Sequence, residues 1–404
     1  MAYNTSPPRS TRTTDAGSPV AVAVVFAMAG LVMAQTFARM PAVRDAVEAS
    51  TGELGLALIG GGLGSLLAMP FTGRLVDRLG SRAVVAVSIV LACAGWSSLA
   101  FVGTPVALGM ALVATGAPVG IWDVAMNVQA SRVEQLRRRS LMPYFHAAFS
   151  GGAVIGAGLG ALAAFSDVGL VQLPVLGALA LVIGLAAVRH FIPDDSAVAQ
   201  GAETDSAPVA RRGVSALEIL IGVVCLGGAL AEGSANDWLA ILLVDVQGAP
   251  AAIGALALTA FNVAMTIGRL LGAPAINAFG RERVARAGGV LAIVGILLAS
   301  QVPSLTVSLV GGLIWGLGVS TIFPAAISAA GEVVGRGNRA ITVVSTIAYG
   351  AFLFGAPTIG LLAEQFGLNR ALFVVIGFLI VMIAVSPSLR PGASTRRDQS
   401  ASIQ

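Results

Sequence analysis

The sequence predicts an all-α membrane protein: twelve spanning helices in two pseudo-symmetric six-helix bundles. Three observations predict it. Of 404 residues, 56% are hydrophobic and 11% charged, and the mean hydropathy is +0.88. A soluble chain this long needs more charge on its surface, so lipid must solvate most of the fold. The apolar residues gather in twelve runs, each near the ~20 residues that cross a bilayer. Finally, a charged turn between the second and third runs, Gly73-Arg74-Leu75-Val76-Asp77-Arg78-Leu79-Gly80-Ser81-Arg82, has a partial copy late in the chain. The copy reads Gly268-Arg269-Leu270-Leu271, then Phe279-Gly280-Arg281-Glu282-Arg283. A repeated turn implies a repeated bundle.

Taken in order, residues 1–19 form a polar tail with Pro7, Pro8, Arg9 and Arg12. The first apolar run, 20–38, is too long for a cleaved signal core and reads as the first span. Spans follow at 54–72, 83–102, 105–130, 144–165 and 170–190. They close an N-terminal bundle over 20–192. Residues 193–214 lose the apolar character and carry Asp194, Asp195, Glu203, Asp205, Arg211 and Arg212, which reads as a linker. The second bundle, 215–390, holds runs at 215–238, 252–273, 284–301, 304–329, 340–363 and 371–388, before a polar tail over 391–404. The runs are continuous rather than alternating, which excludes a β-barrel.

Every basic residue is arginine, and the arginines are unevenly placed. With both termini cytoplasmic, the outside turns hold only Arg39, Arg44 and Arg370, and all the others fall inside. This positive-inside asymmetry supports the span count and orients the chain in a bacterial cytoplasmic membrane. It also explains the net charge of +4 without a nucleic-acid partner. Cys93 and Cys225 sit inside apolar runs without metal or disulfide spacing, so neither a metal nor a cofactor is expected. No phosphate-binding loop ending in Gly-Lys is possible without lysine. Two histidines, and one acid pair confined to the linker, leave no constellation for a membrane enzyme.

Gly73, Leu75, Asp77, Arg78, Gly80 and Arg82 fit a known signature. The stretch resembles the turn between helices two and three of the major facilitator superfamily, and the resemblance extends over the whole chain. It implies the major facilitator fold, and a turn that latches the cytoplasmic ends of the two halves when the cavity opens outward. The gating residues are then Gly73, Arg74, Asp77, Arg78, Gly80 and Arg82, with Gly268 and Arg269 in the copy. The copy lacks the aspartate, because Gly272 falls where Asp77 would, so its latch should be weaker. Further stretches resemble a bacterial branch related to fucose permease-like transporters. They are Trp122-Asp123 with Asn127, Phe145-His146 with Ser150-Gly151-Gly152, and Glu232-Gly233 with Asp237-Trp238. Drug–proton antiporters of the superfamily usually carry an arginine in helix four and a glycine-proline motif in helix five. This chain has no arginine in 105–130 and no interior proline in 144–165.

Ionisable groups in spans are costly and need a reason. Asp123 and Asn127 share a stripe of helix four with Gly116 and Gly120, whose small size leaves room for a cavity or a neighbouring helix. Asp123 reads as a proton-carrying or substrate-gripping carboxylate, or as a structural partner of a nearby helix. Glu232 and Asn236 share a stripe of helix seven. The stretch Glu232–Asn236 reads either as a local helix break that binds solute or as the helix end near outer water, with Trp238 an interface anchor. Gln35 and Arg39 share a stripe of helix one, and Arg39 either pairs with an anion or snorkels outward. Asn262 shares a stripe of helix eight with Thr259, Thr266 and Arg269, which reads as interhelical glue. Gly152, Gly156 and Gly160 make a close-packing face on helix five, on which the halves of such proteins rock.

The reading is a monomeric secondary transporter with alternating access, not an enzyme. Its partners are a small-molecule substrate, protons and the lipid bilayer. Proton-coupled symport of a sugar-like or other small polar solute is expected, with proton-coupled export of a drug or metabolite as the alternative. A carboxylate in low dielectric gains proton affinity, so it can load on one side and unload on the other.

Overall fold

The computed structural model describes residues 18–137, 141–192, 214–333 and 337–390. The expected tails and almost all of the expected linker lie outside the described residues. Fifteen α-helices make up the described chain. They are α1 (Pro19–Ala38), α2 (Met40–Ala46), α3 (Thr51–Leu79), α4 (Ser81–Ser98), α5 (Pro105–Arg137), α6 (Met142–Phe165) and α7 (Gln172–Val188). After the linker come α8 (Ala216–Asp245), α9 (Ala251–Phe279), α10 (Arg281–Gln301), α11 (Leu305–Val319), α12 (Ile322–Gly331), α13 (Gly337–Phe366), α14 (Leu368–Ala371) and α15 (Phe373–Val385). Eleven stretches are long and apolar enough to cross a membrane. The 17-residue apolar helix α7 occupies the sixth of the twelve expected places.

Local chemistry sets the helix ends. Ser50 and Glu53 form a capping box at the start of α3, and Ser215 and Glu218 repeat it at α8, satisfying orphan N–H groups reciprocally. The α3–α4 and α9–α10 turns are made alike. Gly80 has φ 81° and ψ 150°, and Gly280 has φ 84° and ψ 155°. That region is open essentially to glycine alone. The matching glycines therefore set the register of the repeat, and they correct the sequence alignment. Asn277, not Gly272, stands three residues before the glycine, as Asp77 does before Gly80. Gly268 and Arg269 are not in the turn at all. Arg269 lies ten residues inside the end of α9, roughly 15 Å along the helix at 1.5 Å per residue.

Two other expectations are corrected. The seventh span does not break at Glu232–Asn236, because α8 runs unbroken for 30 residues, and Trp238 is completely buried in protein. The break is in the tenth span, between Val319 and Ile322. Pro324 explains it, having no N–H to give Ser320 and a ring that clashes with that carbonyl.

Within the first half, glycines let backbones touch. A Cβ on Gly152 would lie 1.9 Å from the Ala27 carbonyl oxygen, and one on Gly156 2.2 Å from that of Leu31. The glycine face of α6 thus packs on α1 of its own half rather than on the opposite half. Gly116 and Gly120 are likewise filled by Gly61 and Ser65 of α3, not by a cavity.

The halves meet mainly through α3 with α13 and α6 with α9. At the arginine-poor end the contact is tight. A Cβ on Gly55 would meet the Ala356 carbonyl oxygen at 2.9 Å and Gly360 Cα at 3.0 Å. Arg44 on α2 grips Asp245 at the end of α8, with one nitrogen on each carboxylate oxygen. The Arg44 guanidinium is pushed above its ordinary range, chiefly by that hydrogen bond. At the arginine-rich end, the described ion pairs Arg281–Glu332 and Arg390–Glu282 both stay within the second half.

Candidate functional site

Helix α8 is enclosed by α9, α11, α12, α13 and α15 of its own half and touches α1 and α2 across the interface. Residues in its middle that are not buried therefore look inward, not at lipid. Between Ala231 and Leu239 these are Glu232, Gly233, Asn236 and Asp237, while Ser234, Ala235 and Trp238 are buried. The spacing i, i+1, i+4, i+5 places all four on one side. This inward stripe carries three polar side chains and one glycine.

On α5 the same spacing recurs. Asp123, Val124, Asn127 and Val128 are half-buried, whereas Trp122, Ala125, Met126 and Gln129 are buried. Asn127 donates to the Asp123 backbone carbonyl at 2.8 Å and to its carboxylate at 3.3 Å. The Asp123 charge also acts on Tyr349 of α13, in the other half. Each half thus offers an acid with an asparagine one turn on. Asn236 repeats the arrangement, donating to the Glu232 carbonyl at 3.1 Å.

Glu232 and Arg269 form the polar link at the centre. The Arg269 Nη2 group reaches both Glu232 oxygens, at 3.0 and 3.2 Å, and Nη1 donates to Ser150 Oγ at 3.1 Å. Ser150 sits on α6, so this arginine ties the second half to the first. His146, one turn earlier on α6, lies in the electrostatic range of Arg269 and meets Phe26 edge-on, with centroids 5.5 Å apart. Sequence reasoning paired Glu232 with no one, and it placed Arg269 in a surface turn. The stripe it shares with Thr259, Asn262 and Thr266 pointed to the helix, but not to its depth or to Glu232 as its partner.

Other expected residues stand elsewhere. Gln35 is wholly buried and donates to the Leu173 carbonyl at 3.4 Å, facing α7. Arg39 does not snorkel. It is 5% exposed and donates to the Gly169 carbonyl in the α6–α7 connection. Thr259, Asn262 and Thr266 bond the carbonyls four residues back on their own helix, so none acts as glue between helices. In the α3–α4 turn, Arg74, Asp77, Arg78 and Arg82 are exposed, and they make no hydrogen bond or ion pair among the described residues. Asp237 is the residue the sequence reading passed over, because it lay beside the supposed anchor Trp238.

The comparisons agree on one architecture. A family model described as Major Facilitator Superfamily matches residues 20–254 and 229–402. An uncharacterized MFS-type transporter of Yersinia pestis is 33% identical over 373 residues, covering 91% of this chain and 94% of that protein. Among solved structures, a point mutant of the nucleoside transporter NupG superposes with a TM-score of 0.76 at 13% identity, over 92% of this chain and 99% of the other. A D-xylose–proton symporter gives 0.72 at 13% identity, over 92% and 96%.

Proposed function

This chain belongs to the major facilitator superfamily, and from that premise we propose a proton-coupled symporter of a small polar solute. It would reside in a bacterial cytoplasmic membrane with both termini inside. The family makes it a multi-pass membrane transporter; the coupling, the solute and the orientation are our reading. One observation carries that reading. Polar stripes on α5 and α8, one in each half, turn inward at the middle of apolar spans, where a carboxylate has no structural need to be.

The proposed cycle follows from the contacts. The arginine-rich end is cytoplasmic by the positive-inside rule. The halves are clamped at the opposite end by Arg44–Asp245 and by Gly55 against Gly360, so this conformation faces inward. Among the described residues, Arg74, Asp77, Arg78 and Arg82 of the α3–α4 turn bond to nothing in the other half, as a latch that closes only in the outward-facing state would. Asp123 is the first choice for the proton carrier, because its carboxylate is held by a neutral amide and not by a fixed cation. Glu232 is the second, and its release from Arg269 would also loosen the tie to Ser150. Asn127 and Asn236 offer amides to hydroxyls of the solute. The Asp123, His146 and Glu232 stretches support the fucose permease-like branch within this reading, and the D-xylose–proton symporter among the structural neighbours supports a sugar-like solute.

The test uses purified full-length protein in proteoliposomes and a solute found by thermal-shift screening. Under an inward proton gradient the wild type should accumulate solute, and Asp123→Asn should exchange solute without accumulating it. Normal accumulation by Asp123→Asn would remove Asp123 from the coupling role. Accumulation driven only by the reverse gradient would turn the reading to export.

A further inference from the structure

Asp237 stands apart from every other described acid. Inside the spans, Glu218 is held by its capping box with Ser215, Glu232 by Arg269, Asp245 by Arg44, Glu282 by Arg390 and Arg286, and Asp123 by Asn127. Glu332 is held by Arg281. The described acids without a hydrogen bond, namely Glu48, Asp77, Asp167 and Glu364, are exposed near the ends of the bundle, where water solvates them. Asp237 is neither exposed nor partnered among the described residues. It lies eight residues, roughly 12 Å, inside the end of α8. A carboxylate at that depth is expensive unless something pairs with it.

Asp237 and its neighbours on the inward side, Gly233 and Asn236, are only half-buried, so this side of α8 is not sealed by protein. Gly233, one turn before it on the same inward side, has no side chain, and Asn236 beside it uses one amide hydrogen on the Glu232 carbonyl. The charge balance of the inward stripes decides the sign of that partner. Arg269 is the guanidinium described at the middle of the bundle, and Glu232 already occupies it. Asp123 and Asp237 then remain as the inward acids without a fixed cation among the described residues, one in each half, and whenever either is ionised its charge is uncompensated. Such a field draws in cations and repels anions, and it gives no advantage to a neutral solute.

We propose that the transported solute carries a protonated amine and that Asp237 binds it, with Asn236 accepting or donating to a neighbouring polar group. The ammonium supplies the positive charge and the N–H donors that the protein withholds from this carboxylate. This inference rests on the transporter reading and narrows its solute class. It also divides the work of the acids, leaving Asp123 for the proton and Asp237 for the solute.

The experiment is a binding screen on the purified full-length protein. Small amines, including amino sugars, amino alcohols, polyamines and basic amino acids, are each compared with the neutral analogue that lacks the amine and with a carboxylate of similar size. Hits should concentrate among the amines, and Asp237→Asn should weaken them about tenfold or more, the cost of losing a charged hydrogen bond. Glu48→Gln, at an exposed acid, should leave them unchanged. Since Asp237→Asn could fail to fold, carbodiimide labelling of Asp237 in the wild type gives a second readout, and the hit amine should protect it. Hits confined to neutral or anionic compounds, an absence of amine hits, or amine binding indifferent to Asp237→Asn with no protection would overturn the proposal. A neutral solute that binds and accumulates in proteoliposomes would sink this inference and leave the transporter standing. An amine that binds at Asp237 but never crosses the bilayer would leave Asp237 as an amine-binding residue and sink the claim that the amine is the transported solute.

Discussion

Removing the Arg44–Asp245 clamp should shift the resting conformation toward opening at the arginine-poor end. The pair joins α2 of the first half to the end of α8 in the second, with two guanidinium nitrogens on the two carboxylate oxygens. The side chains are 13% and 31% exposed, so the pair is partly shielded from water. Exposed ion pairs contribute about 0.2–1 kcal/mol, and charge-assisted two-pronged ones about 1.5–3 kcal/mol. A value near the boundary, about 1–1.5 kcal/mol, fits this exposure. Because the contact bridges the halves, that energy is present only while this end is closed. Arg44→Gln or Asp245→Asn should therefore raise the ratio of open to closed molecules roughly five- to tenfold.

Spin labels at Ala46→Cys and Ala251→Cys, both at exposed positions on opposite sides of the clamp, would read the change as a longer distance component. The native thiols Cys93 and Cys225 are buried, and both are replaced by alanine in the labelled protein. The exchange Arg44→Asp with Asp245→Arg should restore the short distance. Asp45→Asn is the control, because Asp45 contacts Arg44 from the same helix, α2, and its side chain is 65% exposed. Arg44 holds its proton more tightly in the clamped state, so lowering the pH cannot release the clamp through the arginine. Unchanged distances in both single variants would refute the clamp, and so would failure of the charge exchange to rescue an opened one.

The fold makes three further predictions. Gly152→Ala should lower the melting temperature sharply, since its Cβ would strike the Ala27 backbone, at an overpacking cost of about 1–3 kcal/mol or more. Gly151→Ala, where nothing lies within 4 Å, should leave thermal unfolding in detergent near the wild-type value. Gly280→Ala should cost about 1–3 kcal/mol although its Cβ would meet nothing, because the penalty lies in the backbone at φ 84°. Gly73→Ala, in the helical part of α3, should be neutral or slightly stabilising by the same assay. Glu232→Gln leaves Arg269 half-buried without its carboxylate, so it should destabilise more than Glu232→Gln combined with Arg269→Gln. Equal melting temperatures for these two variants would argue that the pair contributes nothing.

Much of the fold was legible because lipid imposes one rule on every span. Apolar runs, positive turns and glycine breaks are sequence-local, and so the twelve places could be counted. The misreadings arose where a residue's meaning depends on what stands across from it. Glycines on helix four left a cavity and a neighbouring helix equally open, and in the structure they mark where a neighbouring backbone comes closest. The polar run Glu232–Asn236 looked like a helix end, because polar side chains in a membrane usually mean one. Its backbone hydrogen bonds are nevertheless complete, and the proline that does interrupt a span sat unremarked at Pro324. Polarity alone does not end a helix, and a missing N–H does so only in some places: α3, α5, α9 and α13 run on through Pro70, Pro118, Pro274 and Pro357, whereas the tenth span breaks before Pro324. Once α8 is seen to continue to Asp245, Asp237 moves from the rim to the interior, and an unpaired acid there calls for a cause. The same shift of register moves Arg269 from the surface to the centre, where it neutralises Glu232 and leaves Asp237 alone. The charge proposed for the cleft, and with it the proposed class of solute, rests on two residues whose depth no local pattern could supply.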